Sequence, residues 1–188
     1  MKYKVLSASE YLHKSLKLTA IDSKYIQLIR EWRNSQISIL RQNQFISEEQ
    51  QNIYFLNKVF PLFDSSNPEQ ILFNIFYEGK FIGYGGIVHI SYDNKTGEIS
   101  FLLNPSIEPD EFYESVFHDF LVLMDKVAFI EMGLNKLYTE TFSSRSEHIS
   151  MLENAGYIRE GVRQSHLIIN NHVADIYLHG RFADSIYK

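Results

Sequence analysis

Two runs of apolar, β-branched and aromatic residues, FIGYGGIVHI at 81–90 and EISFLL at 98–103, flank a stretch rich in turn formers, SYDNKTG at 91–97. Such a pattern reads as a β-hairpin. A third run, ILFNIFY at 71–77, precedes it across Glu78, Gly79 and Lys80, where the glycine can take a positive φ. Three antiparallel strands in meander order are therefore expected, ended by Asn104 and Pro105. Beyond that break Phe112, Val116, Phe117, Phe120, Leu121, Met124, Val127 and Ala128 recur at helical spacing, which predicts one long amphipathic helix over 111–132. Gly133 supplies its stop, and NKLYTETF at 135–142 follows as a strand. A right-handed crossover through that helix lays the new strand parallel to 98–103.

The remaining chain fits the same plan. Residues 16–19 (LKLT) alternate and read as a strand, and Asp22 or Ser23 caps a helix over 24–34 with Ile26, Ile29 and Trp32 on one face. Arg30, Glu31 and Arg33 then fall to the sides and outer face. Residues 36–44 read as a loop or short helix. Ser47 opens S-E-E-Q, a capping box for a helix running to about residue 59. Residues 61–68 (PLFDSSNP) form the clearest loop, with Phe63 either a buried anchor or part of a lid. A helix over 147–155, ended by Gly156, precedes strands at 158–162, 164–169 and 173–178, the last two joined by Asn170 and Asn171. Residues 1–15 are read as an N-terminal extension, a short helix or an arm against the body or a second copy in a homodimer; residues 16–188 are one domain.

A chain of 188 residues is long enough to bury roughly 70 per cent of its unfolded surface in one core. Hydrophobic content of 45 per cent against 22 per cent charged residues is globular. Net charge of −5 argues against a backbone-tracking nucleic-acid binder, which needs a basic face. The absence of cysteine removes thiol nucleophiles, disulfides and cysteine metal sites. No run approaches the ~18 apolar residues of a membrane span, so a cytoplasmic protein is expected, with no membrane partner. His13, His118, His148, His166 and His172 show no ligand spacing, and no metal site is predicted. The GYGG at 83–86 lies inside a strand, where its glycines serve a bulge or a close approach by a neighbouring element, not a phosphate loop.

The segments IREWRN (29–34), EGKFIGYGGI (78–87), GEISFLLNP (97–105), AFIEMGLNKLYTET (128–141) and MLENAGYIREGVRQSHLIINNHVADIYLHG (151–180) resemble, in order and spacing, the GNAT superfamily of acyl-CoA-dependent N-acetyltransferases. The resemblance covers about residues 16–182. It implies an α/β fold, a mixed and mostly antiparallel twisted sheet of about seven strands with helices on both faces. It also implies transfer of an acetyl group from acetyl-CoA to the amine of a small molecule, such as an amino sugar or sugar nucleotide, or to a protein N-terminus. Transfer from a thioester needs proximity and a base near neutral pKa, and no covalent intermediate.

Glu98, opening the strand EISFLL, resembles the strand glutamate that many members use as general base; the alternative is a solvent-facing residue at a hairpin edge. Tyr177 and His179 lie two apart on the last strand and share a face. Tyr177 is the candidate acid for the leaving thiolate and His179 a substitute base, with His89 a further candidate; the alternatives are a core tyrosine and surface histidines. The resemblance further implies that acetyl-CoA lies along Leu102 and Leu103, with its diphosphate on a helix N-terminus. Counted without gaps, the family's R/Q-x-x-G-x-G/A pattern falls on Phe112 to Phe117, including Ser115, Val116 and Phe117. Neither the basic residue nor a glycine is there, and Glu108, Asp110, Glu111 and Glu114 surround the place. Arg145 stands where the family has an asparagine that touches the pantetheine arm, and Leu152 where it has a tyrosine. Acetyl-CoA is therefore expected to bind weakly or not at all, and a non-catalytic ligand-binding or assembly module is the alternative function.

Overall fold

The computed structural model describes residues 2–107, 110–169 and 172–185. Its core is a single sheet of eight strands in the order β1-β2-β3-β4-β5-β6-β8-β7. These are β1 (Glu10–His13), β2 (Leu16–Ala20), β3 (Ile71–Tyr77), β4 (Lys80–Ser91), β5 (Thr96–Leu103), β6 (Lys136–Phe142), β7 (Ile158–Ile169) and β8 (His172–Phe182). The helices are α1 (Ile26–Ser35), α2 (Glu48–Tyr54), α3 (Glu111–Asp125) and α4 (Ser146–Asn154). No described helix is long and apolar enough to cross a membrane.

The meander β3-β4-β5 forms as the sequence predicts, and β6 joins β5 in parallel through the α3 crossover. Gly133, at φ 64°, stops the helical segment that continues α3 as a π-helix over Lys126–Glu131. Ser47 and Gln50 make both bonds of the capping box, and Asp22 accepts from the Lys24 amide, each satisfying a donor that a helix start leaves free.

Three expectations change. The sheet has eight strands, because EYLH of the expected extension pairs antiparallel with β2. Tyr3 of the same stretch is fully buried, and its hydroxyl donates to the Leu72 carbonyl while accepting from the Leu72 amide. The expected loop at 61–68 begins as a 3₁₀ helix, Phe60–Asp64, which seats Phe63 edge-on against Tyr3 with ring centroids 4.5 Å apart. The runs at 158–162 and 164–169 are one strand, β7, carrying two register shifts. Asn170 and Asn171 lie outside the described residues.

Helices cover both faces of the sheet, and β4 shows how. Neighbouring strand residues point to opposite sides. Tyr84 meets Arg33 of α1, whereas a Cβ at Gly85 would lie 3.0 Å from the Phe120 ring of α3. Glycine at 85 is thus a close-approach residue, as the sequence suggested, letting α3 settle onto the strand. Trp32 of α1 is buried and stacked on Phe81, 5.1 Å between centroids. Loss of such a side chain typically costs about 3–5 kcal/mol.

Candidate active site

The parallel pairing of β5 with β6 covers only Thr96, Gly97 and Glu98, opposite Lys136, Leu137 and Tyr138. Beyond Glu98 the two strands part, and the β5 backbone over 99–103 has no strand partner on that side. Two cavities border the gap. The larger, about 580 Å³, lies between α1, α2 and the sheet and is lined by Arg33, Arg41, Tyr54, Tyr84, His89 and Ser100 among others. The smaller, about 390 Å³, lies between the ends of β5, α3 and α4 and is lined by Phe101, Leu102, Leu103, Tyr113, Arg145 and His148 among others. Of β5, only Ser100 borders the first, whereas Phe101, Leu102 and Leu103 all border the second, side chains of both faces, so the smaller cavity runs along the free β5 edge. Leu40 borders both.

Glu98 sits where the strands part. Its side chain is only 4 per cent exposed and is held on both oxygens: the Arg41 guanidinium donates to Oε1, and His89 Nδ1 lies 2.8 Å from Oε2. Arg41 also reaches Glu140 at 3.1 Å, and Glu140 accepts from Arg163 at 2.9 Å. Val88 is the register partner of Glu98, so in a regular ladder His89 would point to the other face. A bulge between Val88 and Ser91 breaks the alternation, with His89 at φ 50°. This conformation costs a non-glycine residue of order 1–2 kcal/mol, and it turns the imidazole toward Glu98. The His89 side chain is 66 per cent exposed and borders the larger cavity, whereas Glu98 does not. With Nδ1–H given to the carboxylate, Nε2 remains as the ring's proton acceptor.

Tyr177 joins neither cavity. Its ring lies under the Arg159 guanidinium, 4.7 Å to the centroid, on the far pair β7-β8. His179 of the same face is fully buried and pairs with Glu153 at 3.3 Å, which corrects the surface reading.

Around the smaller cavity the predicted cofactor residues divide. Leu102, Leu103 and Arg145 line it, whereas Ser115, Val116 and Phe117 do not. The physical reason is where α3 begins. Only the first turn of a helix has amides free for an anion. With Asp110 as N-cap, residues 115–117 lie past that turn, Val116 and Phe117 in the core. The first-turn amides are also occupied, since Asp110 accepts from Phe112 and Tyr113 at 3.0 Å each. Glu108 lies outside the described residues.

The first turn of α4 differs. Arg145 is its N-cap without a side-chain capping bond, and Ser146, Glu147 and His148 border the cavity. His148 stacks on Phe117 at 4.4 Å, and its Nδ1 lies 3.4 Å from the Tyr113 hydroxyl. Burial, with Arg145 beside it, pushes the His148 pKa well below the ordinary histidine value, so the ring is neutral; burial raises the Tyr113 hydroxyl, against the pull of Arg145.

Sequence reasoning missed Arg41, His89 as the partner of Glu98, and the inward turn of Arg33. Arg41 comes from an irregular segment with no periodicity to read. Arg33 carried a signal, because it stands four residues after the buried Ile29 and so shares its helical face.

A family model described as an acetyltransferase (GNAT) domain matches residues 18–178. No curated protein matches the sequence. Among solved structures, spermidine N-acetyltransferase from Vibrio cholerae in complex with CoA and spermine aligns with a TM-score of 0.81 at 14% identity, over 94% of this chain and 100% of that chain. The dodecameric spermidine N-acetyltransferase from Vibrio cholerae in an intermediate state aligns with a TM-score of 0.76 at 16% identity, over 93% and 97%. At these identities the likeness is one of fold; the family model, which spans most of the sequence, shows that the chain belongs to the GNAT acetyltransferase family.

Proposed function

We propose that this chain transfers the acetyl group of acetyl-CoA to the amine of a small molecule, with the donor in the smaller cavity and the acceptor in the larger. One observation carries the reading: β5 is unpaired with β6 beyond Glu98, the smaller cavity runs along that free edge, and the larger one adjoins it at Leu40. The unpaired β5 edge offers backbone groups to an extended, amide-bearing arm such as pantetheine, as a sheet edge does to a peptide. Arg145 and the first turn of α4 face the same cavity and suit the donor's phosphates.

The neutral amine nitrogen attacks the thioester carbonyl, the new C–N bond forms and the C–S bond breaks, and the proton that the nitrogen then sheds goes to the departing thiolate, directly or through water, giving CoA thiol. The ammonium proton passes first to His89 Nε2, while Glu98 orients the ring and stabilises its charged form. Glu98 is thus the positioning carboxylate of a Glu98–His89 pair, since a 4 per cent exposed group held by Arg41 does not reach the amine itself. Spermidine and spermine, named with the structures of similar fold, are polycations. The larger cavity presents Arg33 and Arg41 and no carboxylate among its described lining residues, which disfavours that class and favours a sugar nucleotide over a plain amino sugar.

Release of CoA thiol in the presence of acetyl-CoA and a panel of amines tests the reading, and without cysteine the protein contributes no background. Saturable thiol release with one acceptor class is the expected result. The alternative, a non-catalytic binding module, is favoured by the occupied first turn of α3; it predicts no turnover with any amine and no stabilisation by acetyl-CoA.

A further inference from the structure

Charged side chains taken out of water are found paired. Among the described residues five arginines, exposed or not, have a carboxylate partner: Arg30 with Glu48, Arg41 with Glu98, Arg159 with Glu153, Arg163 with Glu140 and Arg181 with Asp125. Arg33 and Arg145 have no carboxylate partner, and each borders a different cavity. In the reading above Arg145 answers to the donor's phosphates. Arg33 is then the uncompensated cation of the acceptor cavity.

The Arg33 guanidinium is fixed by neutral groups. Its Nε donates to Gln42 Oε1 at 3.1 Å and its Nη1 to the Tyr84 hydroxyl at 2.6 Å. Gln42 is in turn tied to Asn34 at 2.9 Å, so the fork is held from two sides. Guanidinium carries five N–H donors, and two are used. The unused ones form a preset arrangement for an oxyanion, and Arg41 and His89 border the same space. A cavity of about 580 Å³ also has room for much more than an amine.

We infer that the acceptor carries an anionic group, a phosphate or a carboxylate, at a distance from its amine, and that Arg33 is the residue that anchors it. The inference rests on the larger cavity being the acceptor site. It sets the substrate apart from neutral amino sugars and from polyamines. The amine end lies toward His89 and the anion toward α1.

Binding is measured by calorimetry with UDP, glutamate and spermidine as probes, on the unaltered protein and on Arg33→Gln, Arg33→Lys and the surface control Lys58→Gln. UDP binding that weakens about 10- to 100-fold in Arg33→Gln, as loss of a charge-assisted contact does, and survives in Lys58→Gln supports a phosphate-bearing acceptor. The same pattern with glutamate supports a carboxylate. Arg33→Lys keeps the charge without the fork and is expected to lose several-fold; should Arg33→Gln fail to fold, this variant decides. Binding of neither anion, equal affinity in the Arg33 variants, or tighter binding of spermidine than of either anion overturns the inference. Thiol release is read separately: Arg33-dependent anion binding without acetyl transfer to any amine leaves the anchor standing and removes the transferase reading, and transfer unaffected by Arg33→Gln does the reverse.

Discussion

The two cavities differ in how their polar groups are satisfied. At the larger one Arg41 and His89, which border it, are tied behind it to Glu98, and Arg41 continues to Glu140 and Arg163, a continuous chain of ion pairs with His89 held at its end by a strained bulge. In the smaller one the groups that would meet an anion are split between two helix starts. The first turn of α3 is filled by its own Asp110, and that of α4 has no side-chain cap but does have Arg145. A fully paired cluster of charges and a helix start without a side-chain cap thus lie at the two ends of one strand's free edge. Selection for proton transfer needs fixed geometry; holding a flexible donor needs only enough favourable contacts, from whichever element supplies them.

The largest effect expected from breaking this contrast is at the pair. Glu98→Gln keeps shape and removes the charge, and turnover should fall about 10²-fold or more over about pH 6 to 9, a typical general-base contribution. His89→Gln should fall comparably. Full turnover by both variants would remove the pair from the mechanism, and loss in Glu98→Gln alone would mean that the carboxylate acts without the ring.

On the donor side Arg145→Gln should weaken acetyl-CoA binding about tenfold or more, the size of one charge-assisted contact. Unchanged affinity by calorimetry would show that the phosphates do not reach α4. A smaller effect of opposite sign is expected at α3. Asp110→Asn retains a cap but removes the negative charge, and affinity should rise by up to about fivefold, equivalent to ~1 kcal/mol at a helix N-terminus. Ser115→Gly frees no amide, since residue 115 lies beyond the first turn.

The smallest effect is on stability. The folded His148 resists protonation, while in the unfolded chain it takes a proton near the ordinary value of about 6.5. Its contribution to stability is therefore present above about pH 6.5 and lost as the pH falls below it. Melting temperatures from about pH 7 to 5 should drop less steeply in His148→Gln. Parallel curves would show that the ring is not held neutral.

What could be read from the sequence was local. The SYDNKTG turn, the Ser47 capping box and the apolar stripe of α3 each declare themselves within a few residues, and each is where it was expected. β1 escaped because four residues carry little alternation and its partner β2 is what makes it a strand. The Glu98–His89 contact escaped for a sharper reason. Strand alternation says that His89 faces away from Glu98, and only the bulge, which has no fixed sequence mark, reverses that. The ungapped count set Ser115, Val116 and Phe117 at a helix start, and a count along the chain cannot see that Asp110 sets the start of α3.

Leu40 alone borders both cavities, and the others of their lining residues belong to one or the other. Neither chamber is therefore walled by the molecule that fills its neighbour, and in kinetic language both ligands can be aboard at once. Initial-rate plots against one substrate at fixed levels of the second should intersect rather than run parallel, with no acetylated form of the protein detectable by mass when the amine is withheld.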